Sequence, residues 1–265
     1  MHVLALDFDG VICDSSREVF VTAVDTYAEH EPASPLNNSL RPLRDNALGG
    51  GDGFRNDPIY TTFLELLPLG NRAEDFGVTL KAVEQSAEIP DQDAYDAFYR
   101  GLDPSWRDHF HQRFYEVRGR LRTADLSAWL GLHLPYPGLA EMLGRHRSTS
   151  RLAVATAKDA RSVELLLKVL GLGEIFDSGL TFDKQTGIEK THHLRALHER
   201  TGADFGEITF VDDKVNHLVT VSQLGVRGVL AAWGFNSPRE HALATELGFE
   251  VARLDNAESI LFKGE

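Results

Sequence analysis

The segment Val3-Leu4-Ala5-Leu6-Asp7-Phe8-Asp9-Gly10-Val11 constrains this chain more than any other. An apolar run of strand length passes directly into two aspartates and a glycine. The run predicts a short buried strand, with Asp7 where it ends. Parallel sheets bind ligands at the carboxyl ends of their strands, so an acid pair there reads as a reaction centre. Taken alone, the pair is equally compatible with a turn, because Asp and Gly favour turns.

Four later apolar runs repeat the pattern. Leu152–Thr156 predicts a strand, followed by a helix with Val163, Leu166, Leu167 and Leu170 on one face and Gly171 at its close. Ser178–Phe182 is a weaker strand candidate. Ile208–Val211 is a strong one and leads into a helix carrying Val215, Leu218 and Val219. Val226–Ala232 is the last. Strands alternating with helices imply an α/β fold with a doubly wound, Rossmann-like parallel sheet.

Residues 14–135 break this alternation. They carry helical patterns at Val19–Tyr27, Tyr60–Leu67, Glu74–Ala87 and Ser105–Leu130 and no strand series. The expected organisation is an α/β core of residues 1–13 and 136–265, with a helical cap, residues 14–135, inserted after the first strand. Ser15-Ser16-Arg17-Glu18 matches a capping box at the start of the insert. Pro135-Tyr136-Pro137-Gly138 reads as the return linker, and Gly49–Gly53 as the most flexible stretch.

Composition narrows the partners. Lys and Arg total 27 against 40 Asp and Glu, a net charge of −13 over 265 residues. A field of that sign opposes nucleic acid and anionic membranes. It opposes a phosphate substrate too, so a phosphate site here requires local cations. One cysteine, Cys13, excludes an internal disulfide and reads as a small packed residue in a reducing compartment. With no signal pattern or bilayer-length apolar run, the expected location is cytoplasmic.

The polar residues at the strand ends are Asp7 and Asp9, Thr156 and Lys158, and Asp212 and Asp213. Lys190 precedes the helix that leads to the Ile208 strand. A parallel sheet brings such ends to one edge. Carboxylates packed there raise one another's pKa, and a hard divalent cation resolves the conflict. Mg²⁺ prefers oxygen ligands and is commonly held by carboxylates together with a substrate phosphate. Thiolates and paired histidines, which zinc favours, are missing from the set. Acids, Mg²⁺ and a lysine suit a phosphoryl group, whose charge the cations neutralise while a carboxylate attacks in line.

This constellation resembles the haloacid dehalogenase superfamily in its phosphatase branch. Asp7-Phe8-Asp9-Gly10-Val11 is similar to the first family motif, Thr156 to the second, Lys190 to the third and Asp212-Asp213 to the fourth. The insert matches the family's cap, and Ala232-Trp233-Gly234-Phe235-Asn236 resembles phosphoglycolate-phosphatase-like members. The resemblance implies a nucleophile at Asp7, an acid/base at Asp9, and phosphoryl contacts from Thr156, Ala157 and Lys190. It implies Mg²⁺ on Asp7, on the Asp9 carbonyl and on Asp213, with Asp212 beside them. Its substrate would be a small phosphorylated metabolite. Two departures stand out: His217 takes the place of a later acid, and Lys184 rivals Lys190 as the site lysine.

Arg55, beside the glycine stretch, is a candidate substrate contact in the cap. Arg113, Arg118, Arg120 and Arg122 read first as a solvated helix face, as do His192-His193, and Asp159 reads as a helix N-cap. Competing activities are a phosphosugar mutase on the same core residues, a dehalogenase, and a phosphono-group hydrolase using Lys81 as a Schiff-base amine. A phospho-accepting signalling module and a non-catalytic binding protein are the competing non-enzymes.

Overall fold

The computed structural model describes residues 2–70, 72–177, 179–187 and 189–263. The chain forms two compact units, Met1–Asp14 with Leu134–Glu265, and Ser15–His133.

The first unit is built on a six-stranded sheet. Its strands are β1 (Val3–Leu6), β4 (Arg151–Ala155), β5 (Thr181–Phe182), β6 (Ile208–Asp212), β7 (Arg227–Ala231) and β8 (Glu250–Ala252). The order is β5-β4-β1-β6-β7-β8, and every neighbouring pair is parallel. β1 therefore lies in the middle, with Leu6 opposite Val154 on one side and Val211 on the other. Connections run one way from β1 through β4 to β5, then cross to β6 and run the other way. Ligands of such sheets bind where that direction switches, outside the carboxyl ends of β1, β4 and β6.

β1 and β6 are buried along their whole length, which is why they read as unbroken apolar runs. Val3, Ala5, Ala153 and Phe210 pack with Leu194 and Leu197 of α10 (Lys190–Thr201) and Leu218 and Val221 of α11 (Val215–Ser222). Each such aliphatic side chain contributes about 1.5–3 kcal/mol when fully buried. α9 (Ala160–Val169) starts at Asp159, whose carboxylate accepts from the Ser162 amide at 3.0 Å. The unit is completed by α8 (Leu139–His146), α12 (Pro238–Glu246) and α13 (Ala257–Leu261).

Of the Ser178–Phe182 candidate, Ser178 lies outside the described residues and the strand is confined to Thr181–Phe182. The expected return linker is partly a strand. β3 (Leu134–Pro135) pairs antiparallel with β2 (Cys13–Asp14), so the two crossings between the units are tied in one short ribbon.

The second unit is all helical: α1 (Ser16–His30), α2 (Asn37–Leu48), α3 (Pro58–Leu66), α4 (Ala73–Glu84), α5 (Gln92–Gly101), α6 (Pro104–Ala124) and α7 (Leu126–Gly131). Phe20 of α1 sits 4.9 Å from Tyr60 and 5.3 Å from Phe63, ring centre to ring centre, in edge-to-face contacts. The expected single helix over Ser105–Leu130 is two, because Asp125 turns the chain and caps α7 through the Ala128 amide.

Three expectations require correction. The capping box does not form: the Ser15 side chain caps no amide, and Glu18 turns inward. There it accepts two hydrogen bonds from Arg118, at 2.9 and 2.8 Å, and others from Thr22 and the Trp129 indole. The arginine run is therefore not simply a solvated face. Nor is His192-His193, since His193 is fully buried with its Nε2 2.8 Å from the Gly187 carbonyl oxygen.

Candidate active site

The candidate residues of the core sit at or just past the carboxyl ends of strands, except Lys190, which opens a helix. Asp7 follows β1, Thr156 follows β4, Asp212 ends β6 and Asp213 follows it. After Asp7 the chain folds back at once: the amides of Ile12 and Cys13 both donate to the Phe8 carbonyl, at 2.9 and 3.0 Å. Gly10 makes this possible. Its φ is +82°, and a Cβ there would lie 2.3 Å from Asp213 Oδ2. Gly234 is equally confined, since its Cβ would fall 2.4 Å from the Asp213 Cβ.

Lys190, the first residue of α10, is the hub. Its ammonium is buried and donates to Asp7 Oδ1 at 2.7 Å and to the Ala155 carbonyl at 2.8 Å; it lies 3.6 Å from Asp212 Oδ2. Lys184 is exposed, so the geometry selects Lys190 as the lysine of this cluster. Thr156 Oγ1 accepts from the Lys158 amide at 3.1 Å, and the Lys158 ammonium stands 3.2 Å from Asp9 Oδ1. The Asp9 side chain is 35% exposed, against 12% for Asp7. Ala157 is exposed beside Thr156. Arg55 belongs to the other unit, on the short helix Gly53–Asn56, where its guanidinium donates to Asp52 at 2.8 Å.

Asp213 is fixed by a loop that sequence reasoning associated with the family but gave no role. The Phe235 amide donates to Asp213 Oδ2 at 2.7 Å, and the Asn236 side-chain amide donates to the Asp213 carbonyl at 3.1 Å. Lys158 and His217 were also given no site role. Lys158 stood at a strand end and was legible; the Asp9 contact was not. His217 Nδ1 lies 3.1 and 3.0 Å from the two oxygens of Asp212.

The acids of the cluster are held in different states. Burial pushes the Asp7 carboxyl upward, opposed by Lys190 and reinforced by Asp212. Burial, with Asp212 and Asp7 nearby, pushes Asp213 up to about 7 against the opposing charge of Lys214. Asp212 goes the other way: against the cost of burial, His217 and Lys190 hold it at about 2. Burial lowers His217, but Asp212 outweighs it and the imidazole's affinity for a proton is raised. Groups with pKa values driven apart in one crevice are the raw material of acid/base and nucleophilic chemistry.

The residues fit a hard divalent cation. Asp7, Asp9 and Asp213 offer oxygen donors, and burial together with Asp212 and Asp7 raises the Asp213 carboxyl to about 7 even against the Lys214 charge. Among the described residues, the carboxylate and imidazole donors gathered within 4.8 Å are those of Asp7, Asp212 and His217. Lys190 already supplies a positive charge to that group, at 2.7 Å from Asp7 and 3.6 Å from Asp212.

Comparison with known proteins shows the family. A family model for haloacid dehalogenase-like hydrolases matches residues 1–225. The chain is 28% identical over 246 residues to a phosphoglycolate phosphatase of Caulobacter vibrioides, covering 92% of this chain and 84% of that one. It is 29% identical over 157 residues to a phosphoglycolate phosphatase of Synechococcus elongatus, covering 51% and 72%. Among solved structures, a haloacid dehalogenase-like hydrolase of Streptococcus pneumoniae superposes with a TM-score of 0.63 at 13% identity, covering 99% of this chain and 98% of that one. With its doubly wound core, inserted helical unit and acid-lined strand ends, this chain belongs to the haloacid dehalogenase-like hydrolase family.

Proposed function

We propose that this hydrolase is a Mg²⁺-dependent phosphatase that cleaves a small phosphomonoester through an aspartyl-phosphate on Asp7. The observation that carries the reading is the buried Asp7–Lys190 pair at 2.7 Å, with the more exposed Asp9 two residues further on. An ammonium at that distance favours the ionised, nucleophilic form of the carboxylate and opposes the burial that favours its protonated form.

In this reading an Asp7 oxygen forms a bond to phosphorus as the ester P–O bond breaks, and Asp9 gives its proton to the leaving oxygen. Asp9 then takes a proton from the water that attacks the same phosphorus, which restores Asp7 and releases inorganic phosphate. Lys190, Thr156 and Ala157 orient the phosphoryl oxygens. Asp7, Asp9 and Asp213, with Asp212 beside them, would hold Mg²⁺, which would supply positive charge to the phosphoryl oxygens.

Two relatives named phosphoglycolate phosphatase put small carboxylate-bearing phosphomonoesters first among substrates. The setting we propose is cytoplasmic, in keeping with a single cysteine; among the described residues no helix is long and apolar enough to cross a membrane. The test is phosphate release from a panel of small phosphomonoesters, phosphoglycolate included, with Mg²⁺ and with EDTA. Mg²⁺-dependent release, and an acid-stable radiolabelled protein intermediate mapped to Asp7, are expected. A panel without turnover, or label on another residue, overturns the proposal.

A further inference from the structure

The buried ammonium of Lys190 has two carboxylates to choose from, and its choice is not the one burial predicts. Asp212 is completely buried and Asp7 is slightly exposed. Coulomb attraction strengthens as the local dielectric falls, so the drier Asp212 should hold the lysine more closely. The reverse is observed, with 2.7 Å to Asp7 and 3.6 Å to Asp212.

The neighbours of Asp212 account for this. Its Oδ1 accepts the Lys214 amide at 2.9 Å, and His217 Nδ1 stands between its two oxygens at 3.1 and 3.0 Å. A donor at that distance from a carboxylate is the N–H tautomer. His217 reaches this place because α11 begins at Val215, which puts residue 217 in its first turn, next to the end of β6. Thus both Asp212 oxygens are engaged by donors other than Lys190. The Ala155 carbonyl, at 2.8 Å, holds the ammonium from a further side.

We infer that His217 is a positioning residue: by engaging both oxygens of Asp212 it keeps Lys190 on Asp7, and so sets the charge and aim of the proposed nucleophile. The inference rests on the phosphatase reading for its catalytic consequence, and on geometry alone for the placement of Lys190. Asp212 and His217 then act as one unit. Without the imidazole, a buried carboxylate with an unfilled oxygen draws the ammonium toward itself.

Crystal structures and steady-state kinetics of the full chain test this. In His217→Ala, Lys190 Nζ should move to hydrogen-bond distance from Asp212 and away from Asp7. The value of kcat should fall by about tenfold, with KM within about twofold of the wild type. His217→Asn, which retains a side-chain N–H near the Nδ1 position, should restore both position and rate. In an Asp212→Asn background His217→Ala should have no further effect, because the competing charge is gone. Lys190 unmoved in His217→Ala, a His217→Asn variant as slow as His217→Ala, or additive losses in the double variant would each overturn the inference. If His217→Ala does not fold, Asp212→Asn supplies the decisive structure: Lys190 must remain on Asp7, and its departure refutes the competition. The structural readout needs no turnover, so failure of the phosphatase reading would be seen separately, as an inactive wild type whose Lys190 still responds to residue 217.

Discussion

Both units of this protein bury charge, but the Glu18 site of the helical unit and the strand-end site of the α/β unit do so differently. In the helical unit, Glu18 is shut away from solvent and fully answered. Arg118 grips both its oxygens, and Thr22 and Trp129 add one hydrogen bond each. One carboxylate meets one guanidinium. In the α/β unit, Asp7, Asp212 and Asp213 are all buried, while Lys190 is the ammonium bonded between two of them. There the charges are not paired one to one: Lys158 stands 3.2 Å from Asp9, the buried Lys214 offsets part of the charge of Asp213, and the acids' proton affinities separate, Asp212 to about 2 and Asp213 to about 7. A matched buried pair fixes a fold; an unmatched cluster stores electrostatic work that a cation and a phosphoryl group can release.

The largest expected effect breaks the unmatched side at its centre. Asp7→Asn keeps the size of the side chain and removes the nucleophilic oxygen charge. Turnover should fall by about four orders of magnitude or more, as when other covalent catalysts lose their nucleophile. The fold should be retained, because a neutral side chain in a crowded acid site relieves repulsion. Residual hydrolysis near wild-type rate in a phosphate-release assay would exclude Asp7 from the covalent role.

On the matched side the consequence is reversed. Glu18→Leu leaves the Arg118 guanidinium facing an apolar side chain in the interior. Removing one partner of a buried pair costs about 3–5 kcal/mol, so the helical unit should unfold at a visibly lower denaturant concentration. Glu18→Leu with Arg118→Met should recover much of the loss, since both charges then leave together. A single variant as stable as the wild type would mean that the pair is not held as described.

How far the sequence carried these two regions differs for the same physical reason. The core strands were legible because β1 and β6 are buried on both faces and leave unbroken apolar runs. Asp7, Asp9, Thr156, Asp212 and Asp213 followed as the residues where those runs end. The Phe235 contact to Asp213 spans 22 positions, and no local pattern records it. In the insert, α1, α3, α4 and α6 have apolar faces that could be read. Helices α2 and α5 could not: α2 contains Pro42 and buries only Leu40 and Ala47, and α5 buries only Tyr95. Ser15-Ser16-Arg17-Glu18 misled because an inward Glu18 satisfies a distant Arg118 better than its own helix start.

A pH experiment sharpens the comparison without turnover. Burial pushes the folded Asp213 carboxyl up to about 7 from an ordinary value near 3.8, so the folded state should bind the proton more tightly than the unfolded chain does. Its contribution to stability is complete below pH 4 or so and is lost as pH rises through about 7. EDTA-treated protein should therefore lose stability over that interval in denaturant titrations, and Asp213→Asn should flatten the dependence. Mg²⁺ should flatten it as well, by supplying the missing positive charge. A metal-free wild type whose stability does not change between pH 4 and 8 would remove Asp213 from the unmatched cluster.

The smallest expected effect concerns the cation of the insert that an alternative chemistry would need. A Schiff-base lysine must present a neutral amine. Lys81 instead donates to Glu84 at 2.6 Å and to Glu31 at 3.3 Å. Burial alone would lower its affinity for a proton, but the two carboxylates outweigh it and raise it. It is answered in the manner of Arg118, by acids of its own unit. Lys81→Met should therefore leave phosphate release unchanged, cost about 1 kcal/mol or less in stability, and make no difference to borohydride treatment in the presence of substrate. A substrate-dependent borohydride adduct on the wild type, absent from the variant, would move Lys81 to the side of the chemistry, and its place beside Arg118 in the contrast with the strand-end cluster would fail.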